Sequence, residues 1–519
     1  MHSFAGLLPF TILLPLAAML LHGAAPALRG SSKSGNLKQA KAALVFQWVY
    51  GAFLVWLSIL AMCAPSGLVL RGPGFPFGVT SIIEQPTLYL DGRNAPFLML
   101  LGLCLPLIFT WLRDKEGRFG PSYYVSANLL TLSLAGVFIS DSLLLFYLFW
   151  ETALLGAYFW IGMHGRANIH SGSVYSALVR FFLFTLVGSM PMLLSIIAIC
   201  AAAGKDPGVN GIAAIVNEMP AGHRTWIFAG FLLAFAVKLP LLGFHGWLRD
   251  TYNVAAPATR AVLSALMSKM GAYGLILVLA PGFPQEIARL APYLEALCVA
   301  GAVYGAFLCL AQDRLIDILV YSSLSHLSLV ALAVFAAIGA AGGEVATTGL
   351  TAAIFQVFNH GLIMAALFCF DARISTTGES PVLSASGGLR SGQRRLAAVL
   401  LTAIFASASL PGLSNFAGEI LVLFTAFRAS PWLTFFASVG ALIGAAALVR
   451  AFHKIFLGTP KGDGAGFTQA ADFSLGETGL ALGVIALWLV LGLYPMLFIQ
   501  PIEKTLLTIG AAGGLAVLP

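Results

Sequence analysis

Charge is what this chain has least of. Only 9% of its 519 residues are Asp, Glu, Lys or Arg, whereas 59% are hydrophobic and mean hydropathy is +0.91. A soluble domain carries about 25% charged residues, so a soluble globular fold is excluded and a polytopic membrane protein is expected. Cysteine is scarce as well. The six cysteines, Cys63, Cys104, Cys200, Cys298, Cys309 and Cys369, stand singly in or beside apolar runs, without a CxxC pair or a histidine at metal-binding spacing. They read as small core hydrophobes, and no metal, iron–sulfur or haem ligands are expected. Neither GxGxxG nor GxxxxGK[ST] occurs, so no nucleotide cofactor is expected. The net charge of +7 comes with no basic stretch interleaved with aromatics, which argues against nucleic acid as a partner. The expected partner is the lipid bilayer.

What the chain does have is a row of apolar segments at 4–23, 42–64, 92–112, 121–139, 141–163, 171–203, 225–247, 256–281, 291–311, 315–337, 346–370, 396–427, 432–458 and 476–500. These predict an all-α membrane protein with about fourteen transmembrane helices, each near the ~20 residues a bilayer requires, in one integral domain over residues 1–519. The first segment lacks a basic leader and is read as a retained span rather than a signal peptide. Connectors such as RGSSKSGNLKQAK and RDKEGRFGPS carry the glycine and charge expected where backbone returns to water. Assigning them alternately to the two sides puts about seventeen basic residues on one side and about six on the other, which by the positive-inside rule makes the first side cytoplasmic. Both termini are then expected on the non-cytoplasmic side of the inner (cell) membrane.

Against that apolar background, Glu151, Lys238, Lys269 and Glu419 each interrupt a long hydrophobic run. A charge at bilayer depth costs about 2.5–3.5 kcal/mol or more, so such residues are expected to face a partner, a cavity or a proton path. Lysine gains and loses protons when burial brings its pKa toward neutrality, which arginine does not. Lys238 and Lys269 lie too far from the ends of their runs to snorkel. His326 in YSSLSHLSLV and His360 in FQVFNHGLIM are candidate relays, with Tyr321, Ser322, Ser323 and Ser325 as hydroxyls that hold water; a satisfied core histidine is the alternative. Arg180 either tunes Glu151 or reaches the cytoplasmic interface, and His245, Trp247 and Asp250 mark a candidate entry funnel. Two spans are expected to break, at Lys238-Leu239-Pro240 and at Leu410-Pro411-Gly412-Leu413-Ser414-Asn415 before helix resumes at Glu419, because proline removes a backbone donor and clashes with the preceding turn. Broken helices at matching places in two halves are a mark of inverted-repeat transporters.

In order and spacing, FYLFWETALLGAYF, AFAVKLPLLGFHGWLRD, APATRAVLSALMSKMGAYG, YSSLSHLSL, FNHGL and LPGLSNFAGEILVL resemble the antiporter-like subunits of respiratory complex I, over roughly residues 90 to 460. That superfamily includes Mrp-type cation/proton antiporters and membrane-bound hydrogenases. Glu419 is similar to the M-type subunit, where L and N types carry lysine, and the chain ends without the lateral helix of the L type. The resemblance implies two inverted five-helix repeats, residues 121–281 and 315–458, each with a broken helix. It also implies roles. Glu151 and Lys238 form the charge-coupled pair of one half-channel, Lys269 is the central relay, His326 and His360 are links, and Glu419 serves the other half-channel. The function implied is proton translocation as the M-type subunit of an NADH:quinone oxidoreductase, beside L-type and N-type subunits and without a redox centre of its own. An Mrp-type antiporter or membrane-bound hydrogenase subunit is the alternative. Five positions depart from the family pattern: Arg249 replaces a proline, Arg260 a small residue, Ile316-Asp317 a basic pair, and Arg180 a lysine.

Overall fold

The structure, a computed structural model, describes residues 6–29, 32–64, 70–72, 87–167, 173–340, 343–375, 381–457 and 472–509. Both chain ends lie outside the described residues, as does Lys461, one of the basic residues counted on the cytoplasmic side.

Helices dominate, and their ends follow ordinary capping chemistry. The first three are α1 (Phe10–Arg29), α2 (Lys33–Met62) and α3 (Ala95–Trp111). Between α2 and α3, β1 (Leu70–Gly72) pairs antiparallel with β2 (Leu88–Leu90), Arg71 opposite Tyr89; this short ribbon departs from the all-helical reading. Then come α4 (Pro121–Ile139), α5 (Leu143–His164) and α6 (Val174–Ala203). Ser32, Ser142 and Ser173 cap α2, α5 and α6 by accepting the amides of Gly35, Leu145 and Ser176, each satisfying one of the orphan first-turn donors. A short α7 (Ile212–Glu218) leads to α8 (Ala221–Lys238) and, past a break, to α9 (Leu248–Val254). Next are α10 (Pro257–Gly282), α11 (Pro284–Ala311), α12 (Leu315–Gly339) and α13 (Gly343–Ile374). The chain continues as α14 (Arg394–Ser407), α15 (Ser414–Ala429), α16 (Pro431–Phe456), α17 (Leu475–Leu493) and α18 (Met496–Ile509). Proline opens α4, α10, α11 and α16, where its missing N–H is no loss.

Among the described residues, ten helices are long and apolar enough to cross a membrane: α2, α4, α5, α6, α10, α11, α12, α13, α16 and α17. They fall into two groups by burial. The apolar stretches of α10 and α13 are wholly buried and those of α12 and α4 nearly so, whereas α16 and α17 are mostly exposed. The peripheral helices present Tyr175, Leu194, Trp432 and Leu442 outward, as expected where lipid is the solvent. A central group of helices is thus walled off by an apolar jacket. The cysteines fit this picture except Cys63, which is exposed.

Both expected breaks are present. After Lys238 the chain turns through Gly243, at φ 89°, before α9. The proline at 240 prevents the normal ladder, so the Leu241 amide reaches back to the Ala236 carbonyl at 2.9 Å, and the freed Val237 carbonyl accepts the Trp247 indole N–H at 3.1 Å. In the second break the Leu410 amide likewise bonds the Phe405 carbonyl five residues back, at 3.0 Å. Here Ser409 (φ 54°) and Gly412 (φ 93°) take left-handed conformations, which cost little only at glycine. Gly271 on α10 lies against the first break: a Cβ there would sit 2.6 Å from the Leu239 nitrogen.

Candidate functional site

Lys269, His326 and His360 stand on α10, α12 and α13, three of the four most buried helices. α10 is not a regular helix. It widens into π turns at Leu263–Met267 and Leu275–Leu279, and such insertions are frequent at functional sites. Lys269 follows the first of these immediately and is 0% exposed. Its Nζ donates to the Ser264 carbonyl at 2.6 Å and to Ser268 Oγ at 3.3 Å, and lies 2.9 Å from His360 Nδ1. An ammonium has three protons to place, and each has an acceptor here.

From His360 the polar path continues. Its ring centroid is 5.6 Å from that of His326, and His326 Nδ1 lies 2.8 Å from Glu419 Oε1 on α15. The last contact is within ion-pair distance without being aligned as a hydrogen bond, and His360 Nε2 has no partner among the described residues. Glu419 Oε1 also accepts Asn415 Nδ2 at 3.3 Å; Asn415 in turn reaches Ser409 Oγ at 2.8 Å and accepts Gln356 Nε2 at 3.0 Å. The second break therefore delivers Asn415 and Glu419, one turn apart, to the histidine pair. Lys269, His360, His326 and Glu419 form a row of exchangeable groups across four helices.

The other two sequence-singled residues are placed differently. Lys238 is buried at the end of α8, but among the described residues its Nζ has no hydrogen-bond partner; it lies 5.7 Å from the Trp150 ring centroid and 5.9 Å from that of Phe181. The faces of these rings favour a cation without supplying a proton acceptor. Glu151, one residue after Trp150, is partly buried and its Oε1 also lacks a partner. Among the described residues no ion pair joins Glu151 to Lys238, so the implied pair is one of neighbours across a gap rather than of groups in contact. Two of the four hydroxyls assigned to His326 are engaged elsewhere, Ser325 Oγ donating to the Ala302 carbonyl at 2.8 Å and Ser323 Oγ lying 3.4 Å from Ser264 Oγ, whereas the buried Ser322 Oγ has no partner among the described residues.

The departures from the family pattern pair with acids. Arg249 makes two hydrogen bonds to Asp317, at 2.9 and 3.1 Å, and Asn253 donates to the same carboxylate at 2.9 Å. Arg260 lies 3.6 Å from Asp371, with both side chains buried, and Arg180 pairs with Asp250 rather than with Glu151. Of the suggested funnel, Trp247 caps a carbonyl, Asp250 is occupied by Arg180, and His245 Nδ1 alone has no partner. Ser264, Ser268 and Gln356 carried no role in the sequence, and Asn415 was expected only within the second break, whereas α15 already begins at Ser414 and carries it. For Asn415 the signal was the polar pair Ser414-Asn415 inside an apolar run; for the others an uncharged polar residue in a helix carried none.

The family model of the transmembrane region of NADH:quinone oxidoreductase/Mrp antiporter proteins matches residues 140–444, which contain the whole row. The chain is 29% identical over 504 residues to NADH-quinone oxidoreductase subunit M of Rhodobacter capsulatus, covering 95% of this chain and 94% of that one. Its fold is similar to that of a chain in respiratory complex I from Thermus thermophilus with bound NADH, with a TM-score of 0.79, 26% identity and 98% of each chain covered. It is also similar to a chain of the Mrp complex from Dietzia sp. DQ12-45-1b, with a TM-score of 0.81 over 100% of both chains but 20% identity, a likeness of fold alone. The chain belongs to the NADH:quinone oxidoreductase/Mrp antiporter transmembrane family.

Proposed function

We propose that the chain is the M-type proton-translocating membrane subunit of an NADH:quinone oxidoreductase, moving protons through Glu151, Lys238, Lys269, His360, His326 and Glu419 while electron transfer runs in other subunits. The observation that carries this reading is the continuity from Lys269 through His360 and His326 to Glu419, with 2.9 and 2.8 Å contacts at either end of the histidine pair. Each group in the row both takes and gives a proton, and the two histidine rings that join its ends have their centroids 5.6 Å apart. A fixed structural network would need no unpartnered nitrogen at its centre, yet among the described residues His360 Nε2 has no partner. Lys238, held by aromatic faces without an acceptor, is the loading group of the first half, and Glu151 the carboxylate whose charge is felt across the gap.

In this reading the fold is a row of fourteen membrane helices with two inverted repeats over 121–281 and 315–458, and the two proline breaks are its symmetry-related features. Both termini face away from the cytoplasm, and L-type and N-type subunits flank the chain in the inner membrane. No redox centre is assigned to the chain itself. The test is the assembled complex reconstituted in vesicles with Lys238→Ala or Glu151→Gln. The expected result is quinone reduction near the wild-type rate with proton uptake reduced severalfold. Full pumping by both variants would leave Glu151 and Lys238 as packing residues. Activity that requires sodium or potassium instead of protons would favour the antiporter branch.

A further inference from the structure

Away from the buried row, at the end of the molecule where the basic connectors gather, α14 and α16 part around a cavity of about 720 Å³. It is lined by Arg390 and Arg394, by Ala397 and Leu401 on α14, and by Phe452 and Phe456 on α16. Both arginines are exposed, and among the described residues neither has a hydrogen bond or an ion pair. The neighbouring groups are occupied: the amides of Arg395 and Leu396 bond Asp472 at 3.1 and 3.0 Å, and Arg395 Nη1 donates to the Phe473 carbonyl at 3.0 Å. An anion at this cavity would therefore be held by Arg390 and Arg394.

The order of residues along α14 fixes the kind of anion. Arg394 begins the helix, and Leu401 lies seven residues on, roughly 10 Å deeper at 1.5 Å per residue. Two guanidinium groups with no partner among the described residues thus sit above a groove that becomes apolar along α14, beside α16, whose Val449 is exposed. A soluble anion has no use for the groove, and a neutral lipid has no use for two arginines. Basic pockets between membrane helices match acidic headgroups, with roughly 1 kcal/mol for each basic residue. We propose that this cavity is a binding site for an anionic phospholipid, its phosphate between Arg390 and Arg394 and an acyl chain along Leu401 and Phe452. The inference is independent of the proton-transfer reading.

The test uses the full chain in its purified complex, reconstituted with phosphatidylglycerol carrying a photoactivatable acyl chain. Crosslinks are expected on the Leu401 and Phe452 segments, with labelling about thirty-fold weaker in the R390Q/R394Q variant, the loss expected for two such charges. Leu401→Trp, which fills the groove but keeps both arginines, is expected to reduce labelling too and guards against misfolding of the charge variant. Excess unlabelled phosphatidylglycerol should compete, whereas phosphatidylcholine and inorganic phosphate should not. Equal labelling by a phosphatidylcholine probe, insensitivity to R390Q/R394Q in an assembled complex, or displacement by inorganic phosphate would overturn the proposal.

Discussion

Lys238 and Lys269 are the same residue type, equally buried, with opposite surroundings. Lys269 has an acceptor for each proton, while Lys238 has only aromatic faces. In the sequence the two looked alike, because a lone charge in an apolar run announces itself whatever it touches. Partners are harder to read: Ser264 and Ser268 resemble any helical serine, and only the π turn before Lys269 brings the Ser264 carbonyl to its ammonium. Asn415 is the clearest case of a residue whose importance lies in its contacts. It donates to Glu419 and Ser409 and accepts from Gln356, all in a buried setting. Asn415→Leu leaves Gln356 without its acceptor and is expected to cost about 1–3 kcal/mol, seen as a lower melting temperature of the complex in detergent. An unchanged melting temperature would show that these bonds are replaced locally.

At the scale of elements, the two breaks were legible because proline acts locally, through a missing donor and a clash that no tertiary context removes. What satisfies the freed carbonyl was not legible, since Trp247 lies ten residues from Val237. Trp247→Phe keeps the tilted ring contact with Phe181 and removes the donor, and is expected to destabilise the first break by about 1 kcal/mol in thermal unfolding. The departures at Arg249 and Asp317 were read separately, 68 residues apart, yet they form one contact between α9 and α12. With Arg249 partly exposed, the coupling is expected near 1 kcal/mol. Arg249→Ala and Asp317→Ala should be non-additive, and exchanging the two residues should restore most of the lost stability; strict additivity would contradict the pairing. Beyond the membrane segments, Asp472 caps the start of α14. Burial opposes its charge, but hydrogen bonds from the amides of Leu396, Arg395 and Phe473, with the charge of Arg395, hold its carboxyl below the ordinary carboxylate value. Its contribution is therefore complete above about pH 4 and lost as pH falls through the depressed value in the folded protein. Asp472→Asn should remove that acid-side loss from a melting-temperature profile.

For the molecule as a whole, hydropathy located the helices, but it could not separate the buried α10, α12 and α13 from the exposed α16 and α17, because lipid and protein interior favour the same side chains. The central helices became recognisable only through what they carry: Lys269, His326 and His360. The row those residues form with Glu419 runs through the most protected part of the fold, and its weakest joint is the 5.6 Å step between the histidine rings. Its integrity is tested most directly by the number of protons translocated per quinone reduced in vesicles containing the complex with His360→Met. Proton transfer along the row requires that this ratio fall while quinone reduction continues. A wild-type ratio in the assembled His360→Met complex would contradict it.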